Sequence, residues 1–453
     1  MKRTYYIPLV SVLLMSCYNN LEFETLTTEK IVCDLNNHII DNYVTIDAVN
    51  SFVTNDIRTV KSGVSGFKVT PYTSSDGDTL MYLVNYEDSK GWKIISSDSR
   101  TPAILAESEI GCFSVDDNTH GIQAWIDIVS NNIKRIRHLP DSALSFSPLD
   151  IALNRSTWTG ERVVRRGPGN GYGYWEEIVS SEIEDYVIQD HFVAKWHQHE
   201  PYNQYCPLKT DGSGDRTPAG CVAVAGSEVL YYLHNQIGKP RFMYTNVSYT
   251  ADSIIFSNPD STIWASMNPQ CQFISYSNLP EAVMIRYVGA ASATDYHNSF
   301  SWALPMALRV LVFNGLGITC FSGAYDESIV KESMNSMMPV IVTASDQMIP
   351  VNGRIHCFVI DGFRMVRTKY TIYHHWDQNP ESPNPHILPD YYSYEYSPPF
   401  IYQIKINWGW ESQWLIPPVN DGWYSLTAHW EVQNGETYNY NNNVSMIYGF
   451  STE

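Results

Sequence analysis

The sequence has few basic residues, no CxxC pair and, beyond its N-terminus, no apolar stretch suited to span a membrane. It contains 29 Lys and Arg against 48 Asp and Glu, a formal net charge of −19. This balance opposes binding to nucleic acid or anionic lipid, because neither would meet a cationic face. Without CxxC spacing, the eight cysteines give no support to a zinc knuckle or a dithiol redox motif. The apolar run 303–320 contains Pro305, Arg309 and Asn314, which indicates a core segment.

The composition that remains is typical of a large globular protein. The 453 residues are 44% hydrophobic and 13% aromatic, which favours a folded chain over a disordered one. A chain of this length can hold two or three domains, each with an ample core.

The N-terminal residues predict a secretory signal peptide over residues 1–17. Lys2 and Arg3 form a short basic region, and the mostly apolar stretch Ile7–Met15 is too short to span a membrane as a mature helix. The tetrapeptide Leu14-Met15-Ser16-Cys17 resembles a bacterial lipobox, in which the cysteine is diacylated and becomes the new N-terminus. The alternative is an ordinary secretory signal in which Cys17 is incidental.

A polar tether over 18–44 would then link a lipid on Cys17 to the folded chain, as its only membrane contact. We therefore expect an exported lipoprotein of the bacterial outer membrane or cell surface, or a form released from it by processing. Export permits disulfides. Six cysteines remain besides Cys17 and Cys221, and the sequence leaves their pairing open.

Residues 45–140 predict a small α+β unit. Its apolar periodicity indicates helices over 48–60 and 121–138 and a pair of strands over 80–86 and 91–96. Nothing in this unit suggests catalysis by itself.

Residues 141–173 predict a surface linker with an activation cleavage region. Prolines and glycines interrupt this stretch, and Arg162–Gly167 is a basic patch in an acidic protein. Exposed, glycine-rich segments are where proteases cut.

The second unit, 174–453, is organised around the turn that leads into Cys221. Pro218 and Gly220 are turn residues, so we expect a helix to begin at or just before Cys221. The unpaired N–H groups and the dipole at a helix N-terminus favour thiolate over thiol. Cys221 is therefore predicted to be a low-pKa nucleophile. The alternative is a buried, inert cysteine.

His356 and Asn407 complete the arrangement that a thiol hydrolase needs. Each lies in an alternating segment that predicts a strand, and antiparallel strands facing the helix would bring both opposite Cys221. Peptide hydrolysis by a thiolate requires a base and a group that orients it. His356 follows Cys221 by 135 residues (356 − 221), within the ~130–150 of papain-like enzymes. The interval to Asn407, 186 residues (407 − 221), exceeds the papain pattern and requires an insertion. Singly, each would more often be structural.

Four separated segments resemble the streptopain family of papain-like cysteine peptidases. They are Trp196–Asn203, Gly220–Ala223, His356–Gly362 and Asn407–Trp410. Asp421–Tyr424 matches the strand that follows in the family, and Gly91–Arg100 resembles the family's inhibitory propeptide of the Spi type. The resemblance covers most of the chain past residue 45, with the motifs in the family's order.

The resemblance implies an α+β fold with two parts. A papain-like peptidase domain over 174–453, with a central helix packed on an antiparallel sheet, would follow an inhibitory propeptide domain over 45–140. The partners would be protein or peptide substrates and the chain's own propeptide, as in a zymogen. The family tends to favour a bulky apolar residue two positions before the scissile bond.

The resemblance also implies a role for each site residue. Cys221 would be the nucleophile and His356 its general base and later acid. The Gln198 amide, with the Cys221 backbone N–H, would form the oxyanion hole. Asn407 would orient the imidazole, and Trp408 would shield that contact from water. No cofactor or metal is expected.

The histidine pair His197 and His199 does not change that expectation. The two alternate along the chain, but no third ligand is in view. Alternating histidines alone are a weak signal for a metal site.

Two departures from the family bear on specificity. Ile355 stands where the family usually has Gly before the histidine, and Glu411 and Ser412 replace a Gly-Gly pair. A Tyr- and Pro-rich insertion over 369–399 predicts a long loop with little structure of its own, which would be either functional or disordered. The alternatives to a peptidase are a catalytically silent surface binding protein, and a papain-like acyltransferase or transglutaminase.

Overall fold

The computed structural model describes residues 2–7, 39–40, 42–55, 64, 66–115, 120–161, 163–168, 173–190, 193–236, 247–248, 255–256, 265–270, 279–345, 355–376, 391–409, 420–425 and 444–451. Within these residues, no helix has the length and apolar character needed to cross a bilayer.

The helices are α1 Ile46–Thr54, α2 His120–Arg137, α3 Pro148–Thr159, α4 Cys221–Tyr231, α5 Pro280–Ala291, the single turn α6 Pro305–Ala307, and α7 Glu327–Asn335. The strands are β1 Lys2–Ile7, β2 Ile39–Ile40, β3 Tyr43–Val44, β4 Phe67–Thr73, β5 Thr79–Tyr86, β6 Trp92–Ser96, β7 Ile104–Ser108, β8 Val163–Pro168, β9 Gly173–Gln189 and β10 Val247–Ser248. They continue with β11 Ile255–Phe256, β12 Asp295–Tyr296, β13 Ser301–Trp302, β14 Thr319–Ala324, β15 Val340–Ser345, β16 Ile355–Trp376, β17 Tyr391–Tyr396, β18 Ile401–Asn407, β19 Gly422–Tyr424 and β20 Val444–Ser451.

Strands from both units form one antiparallel sheet. Its order is β14-β20-β15-β16-β18-β19-β7-β6-β5-β4. The distal part of β16 pairs with β9 along one edge and β17 along the other, and β9 also pairs with β8 and β1. β1 lies in the predicted signal peptide, whose Leu14–Cys17 motif falls outside the described residues.

The central helix α4 packs closely against its neighbours because its first turns carry small residues. Every residue from Cys221 to Tyr231 is buried. A Cβ at Gly226 would lie 2.5 Å from Leu308 Cδ2, so any larger residue here would require the Leu308 side chain to move. The helix begins at Cys221, as the turn residues predicted.

The two units join edge to edge through β7 and β19. Trp423 lies opposite Glu107 in that ladder. Arg364 of β16 donates to Glu107 Oε1 at 2.7 Å, with both side chains buried. Trp125 of α2 donates its indole N–H to the Ser425 carbonyl at 3.0 Å. The first unit is therefore docked beside β19, whose other neighbour is β18, the strand that ends at Asn407.

The predicted linker is folded over much of its length. α3 begins with Pro148 at its first position and ends at Gly160, which has a φ of 66°. These residues are helix start and stop signals, so the expectation of a broken, exposed segment is wrong for α3. Residues 163–168 form β8, which pairs with β9. The cleavage region within 162–171 stays a prediction.

The insertion over 369–399 is also partly folded. β16 continues without a break to Trp376, and β17 pairs with it, so the expectation of a loop with little structure is wrong for these residues. Residues 377–390 lie outside the described residues. We call the sheet formed by β17, residues 370–376 of β16 and residues 173–181 of β9 the arm.

Candidate active site

Cys221 is the first residue of α4 and is almost buried. Gly220 precedes it with a φ of 92°, a conformation that favours glycine. Cys221 is 9% exposed. The Cys357 backbone N–H donates a hydrogen bond to its sulfur. Burial raises the pKa of Cys221, although the N–H groups of Cys357, Val222 and Cys221 oppose the shift. The low-pKa prediction is therefore wrong for the full-length chain, because desolvation outweighs the helix N-terminus.

His356 lies on β16 beside Cys357 and is fixed by a backbone carbonyl. Its Nε2 is 2.8 Å from the Trp408 carbonyl oxygen. A carbonyl can only accept, so Nε2 carries the proton and Nδ1 retains its lone pair. The Trp408 ring lies 6.0 Å from the imidazole at an interplanar angle of 25°, and both residues are buried. This arrangement makes Nδ1 the imidazole nitrogen that can act as a base.

Asn407 does not make the contact that the sequence predicted. Its Nδ2 donates to the Ala194 carbonyl at 2.7 Å and to Glu228 Oε1 at 3.0 Å. Its Oδ1 accepts from the Gly409 N–H at 3.2 Å. The expectation that Asn407 orients the imidazole is therefore corrected: the Trp408 carbonyl holds His356, and the Asn407 side chain shapes the turn that presents that carbonyl.

Gln198 lies next to the turn that leads into α4. Its carbonyl accepts from the Ala219 N–H at 2.8 Å. The side chain is 6% exposed, and its Nε2 has no hydrogen-bond partner in the described part of the chain. Burial of an amide donor without a partner is costly, so an added acceptor at this position would form a hydrogen bond with Nε2.

Glu228, an acidic side chain that the sequence did not single out, links the loop that contains Gln198 to the turn that contains Trp408. Glu228 lies two turns after Cys221 on α4, and its Oε1 accepts from the Trp196 N–H and from Asn407, each at 3.0 Å. Burial raises the pKa of Glu228 well above its usual range. A lone acidic residue within an otherwise apolar helix was the available signal.

Asp421 fixes the same turn from the other side. Its Oδ1 accepts from the Trp408 N–H at 2.9 Å, and its Oδ2 pairs with Lys195 Nζ at 2.7 Å. Two acidic side chains thus hold the turn around Trp408: Glu228 acts through Asn407, and Asp421 accepts directly from the Trp408 N–H.

The described cysteines carry free thiols: Cys112, Cys206, Cys221, Cys320 and Cys357. In the part of the chain that the structure describes, no group of three His, Cys, Asp or Glu side chains is placed to hold a metal ion.

Residues 196–424 match the peptidase C10 family. The chain belongs to that family. The match spans Gln198, Cys221, His356, Asn407 and Trp408. Residues 40–133 match the Spi protease inhibitor family. The resemblance to streptopain-type peptidases with a Spi propeptide is confirmed.

Two solved structures are similar to the chain. A Prevotella intermedia prointerpain A fragment with a cysteine-to-alanine mutation is 18% identical, with a TM-score of 0.45, over 85% of this chain and 99% of that one. The active wild-type interpain A cysteine protease of the same organism is 19% identical, with a TM-score of 0.34, over 58% of this chain and 97% of that one. No curated protein shows significant similarity.

Family membership decides the fold and the class of reaction. The chain is a cysteine endopeptidase with a papain-like domain, and a Spi-type propeptide domain precedes it. This is the organisation of a zymogen.

Proposed function

We propose that Cys221 and His356 carry out the hydrolysis. His356 Nδ1 takes the thiol proton, and the sulfur attacks the carbonyl carbon of a peptide bond. The imidazolium then gives that proton to the leaving amine as the C–N bond breaks, which leaves a thioester. Water, deprotonated by the same nitrogen, cleaves the thioester and restores the thiol. The Nε2 contact with the Trp408 carbonyl supports this assignment, because it keeps one proton on Nε2 and leaves Nδ1 to take up and return the thiol proton.

The Trp408 indole is proposed to keep water away from that contact. It is 1% exposed and lies against the imidazole. Exclusion of water strengthens the hydrogen bond that the developing imidazolium donates to the Trp408 carbonyl. Asn407 takes part as a positioning residue that holds the Trp408 carbonyl in place.

Gln198 is proposed to bind the oxyanion together with the Cys221 backbone N–H. The observation that carries this role is the buried Gln198 Nε2 without a partner, on a residue bonded to Ala219 just before the nucleophile. The negative oxygen of the tetrahedral intermediate would supply the missing acceptor.

Replacement of the Gln198 side chain tests the oxyanion role. Gln198→Ala should lower kcat by roughly 10²–10³-fold with little change in KM, because the donor acts on charge that develops in the transition state. Gln198→Glu keeps the size but replaces the donor with an acceptor, and it should be at least as impaired. A Gln198→Ala enzyme with wild-type kcat would remove this residue from the site.

The domain over 45–140 is proposed to inhibit the enzyme until the chain is cut within 162–171. The β7–β19 ladder and the buried Arg364–Glu107 pair support an interface that persists in the uncut chain. An inhibitor on the same chain acts at a high effective concentration, so cleavage of the connection weakens it.

Export and lipid attachment at Cys17 are proposed from the sequence alone. Cleavage before Cys17 would remove β1, which precedes it. Detergent-phase partitioning that is lost in Cys17→Ser would support the anchor, and equal recovery of both proteins in the aqueous phase would reject it.

A further inference from the structure

α3 has two buried faces that contact different parts of the molecule. On one face, Leu149 and Leu153 are buried in a cluster with two arm residues, Ile178 and Ile372. Ile178 and Ile372 lie directly opposite each other in the β9–β16 ladder. A residue pair four apart on a helix points the same way, so this face of α3 lies on the arm.

The opposite face of α3 contacts the propeptide domain. Trp158 is buried in the cluster of the first unit, with its ring 5.2 Å from that of Phe52. Asn154 Nδ2 donates to the Arg100 carbonyl at 2.8 Å. Asn154 and Trp158 are again four residues apart. The helix is therefore held between the propeptide domain and the arm.

Hydrogen bonds anchor the start of α3 to the outer strand of the arm. The Tyr396 hydroxyl donates to Asp150 Oδ1 at 2.9 Å and lies 3.1 Å from Ser147 Oγ. Ser147 and Asp150 also form the capping box of α3. Tyr396 thus joins the N-terminus of the helix to β17.

The activation region is paired with the same arm. β8 lies alongside β9, with Arg165 opposite Glu176 and Arg166 opposite Trp175. Only residues 160–162 separate α3 from β8. A protease needs an extended segment free of other backbone partners, so cleavage within β8 requires it to leave β9 first.

We propose that the arm is a second docking surface for the propeptide, in addition to β19. The arm holds α3, and α3 in turn keeps the activation strand β8 paired with β9 and protected from cleavage. The proposal rests on the proposed activation by cleavage within 162–171. It gives the insertion over 369–399 a role: the arm sets how readily the zymogen is cut. Because α3 stays on the propeptide side of any such cut, the arm also retains the propeptide afterwards.

The test measures trypsin cleavage at Arg165 and Arg166 in full-length protein that carries Cys221→Ala. Intact-mass analysis over time gives the rate, which follows the population of the opened strand when opening is fast. Tyr396→Phe removes the hydroxyl that binds α3 and should raise the rate about fivefold, and Ile372→Ala should raise it at least about tenfold. Tyr392 lies on the same strand as Tyr396, but its side chain is exposed. Tyr392→Phe, which removes the same hydroxyl group, therefore serves as the matched control.

The docking surface is supported if Tyr392→Phe is cut at the same rate as the parent while Tyr396→Phe and Ile372→Ala are both cut faster. Equal rates in all four chains, including no cleavage in any, would overturn it. Thermal melts identify a variant that fails to fold, and Tyr396→Phe, which deletes one oxygen atom, still decides the outcome if Ile372→Ala does not fold. Because Cys221→Ala is present throughout, the result does not depend on whether the chain is a peptidase.

Discussion

The tautomer of His356 follows from one hydrogen bond. The Trp408 carbonyl can accept but not donate, so the imidazole proton stays on Nε2 and the basic lone pair on Nδ1. A backbone carbonyl orients the ring as an asparagine side chain would, with the difference that no substitution can delete it. Residues that shape the turn therefore decide how well His356 is held.

The charge state of Cys221 gives a pH prediction for the full-length chain. Burial raises its pKa above the ordinary thiol value, so the thiolate is scarce at neutral pH and appears only as pH rises through the raised pKa. Iodoacetamide labelling of Cys221, followed by peptide mass analysis, should accelerate steeply in the alkaline range and be slow at pH 7. Fast, pH-independent labelling near pH 7 in uncut protein would show that the thiolate is already formed.

Among the elements, α4 has the largest part in the proposed site because it carries both Cys221 and Glu228. Through Glu228 Oε1 the helix holds the Trp196 backbone in the Gln198 loop and Asn407 in the Trp408 turn. One helix thus contacts three parts of the proposed site: it carries Cys221, and it bonds the loop of Gln198 and the turn of Trp408.

Glu228→Ala tests this arrangement. It should lower kcat by roughly 10–100-fold, as a small displacement of catalytic groups does, with a smaller effect on KM. Glu228→Gln keeps the Oε1 acceptor and matches the neutral acid that the raised pKa favours, so it should restore most of kcat.

Steady-state kinetics on a peptide substrate, with melting temperatures for each variant, separates positioning from stability. If Glu228→Gln is as impaired as Glu228→Ala at equal stability, the acceptor role is wrong.

The sequence revealed elements where a local pattern determines them. The start of α4 follows from a Pro- and Gly-containing turn, and β16 and β18 follow from alternating apolar residues. α3 is not evident from the sequence because Pro148 and Gly160, which bound the helix, are also the residues that interrupt irregular segments. The role of the Trp408 carbonyl could not be predicted, since every residue has a carbonyl and only the folded turn selects one.

At the scale of the whole molecule, one antiparallel sheet runs through both the propeptide and the peptidase. The strand order could not be read from the sequence, because the β7–β19 pairing joins residues more than 300 positions apart (Trp423 and Glu107). The shared sheet and the contacts of α3 make the propeptide an integral part of the uncut fold. We therefore expect its removal to need both a cut and the release of these interfaces.

The most direct test of the account compares casein hydrolysis by three samples: full-length protein verified as uncut, the same protein cut within 162–171, and cut protein that carries Cys221→Ala. We predict hydrolysis by the cut protein with Cys221 and little by the other two, with Cys221→Ala as well folded as its parent. Casein hydrolysis by the Cys221→Ala protein would contradict the proposed mechanism, and uncut protein as active as cut protein would contradict the zymogen.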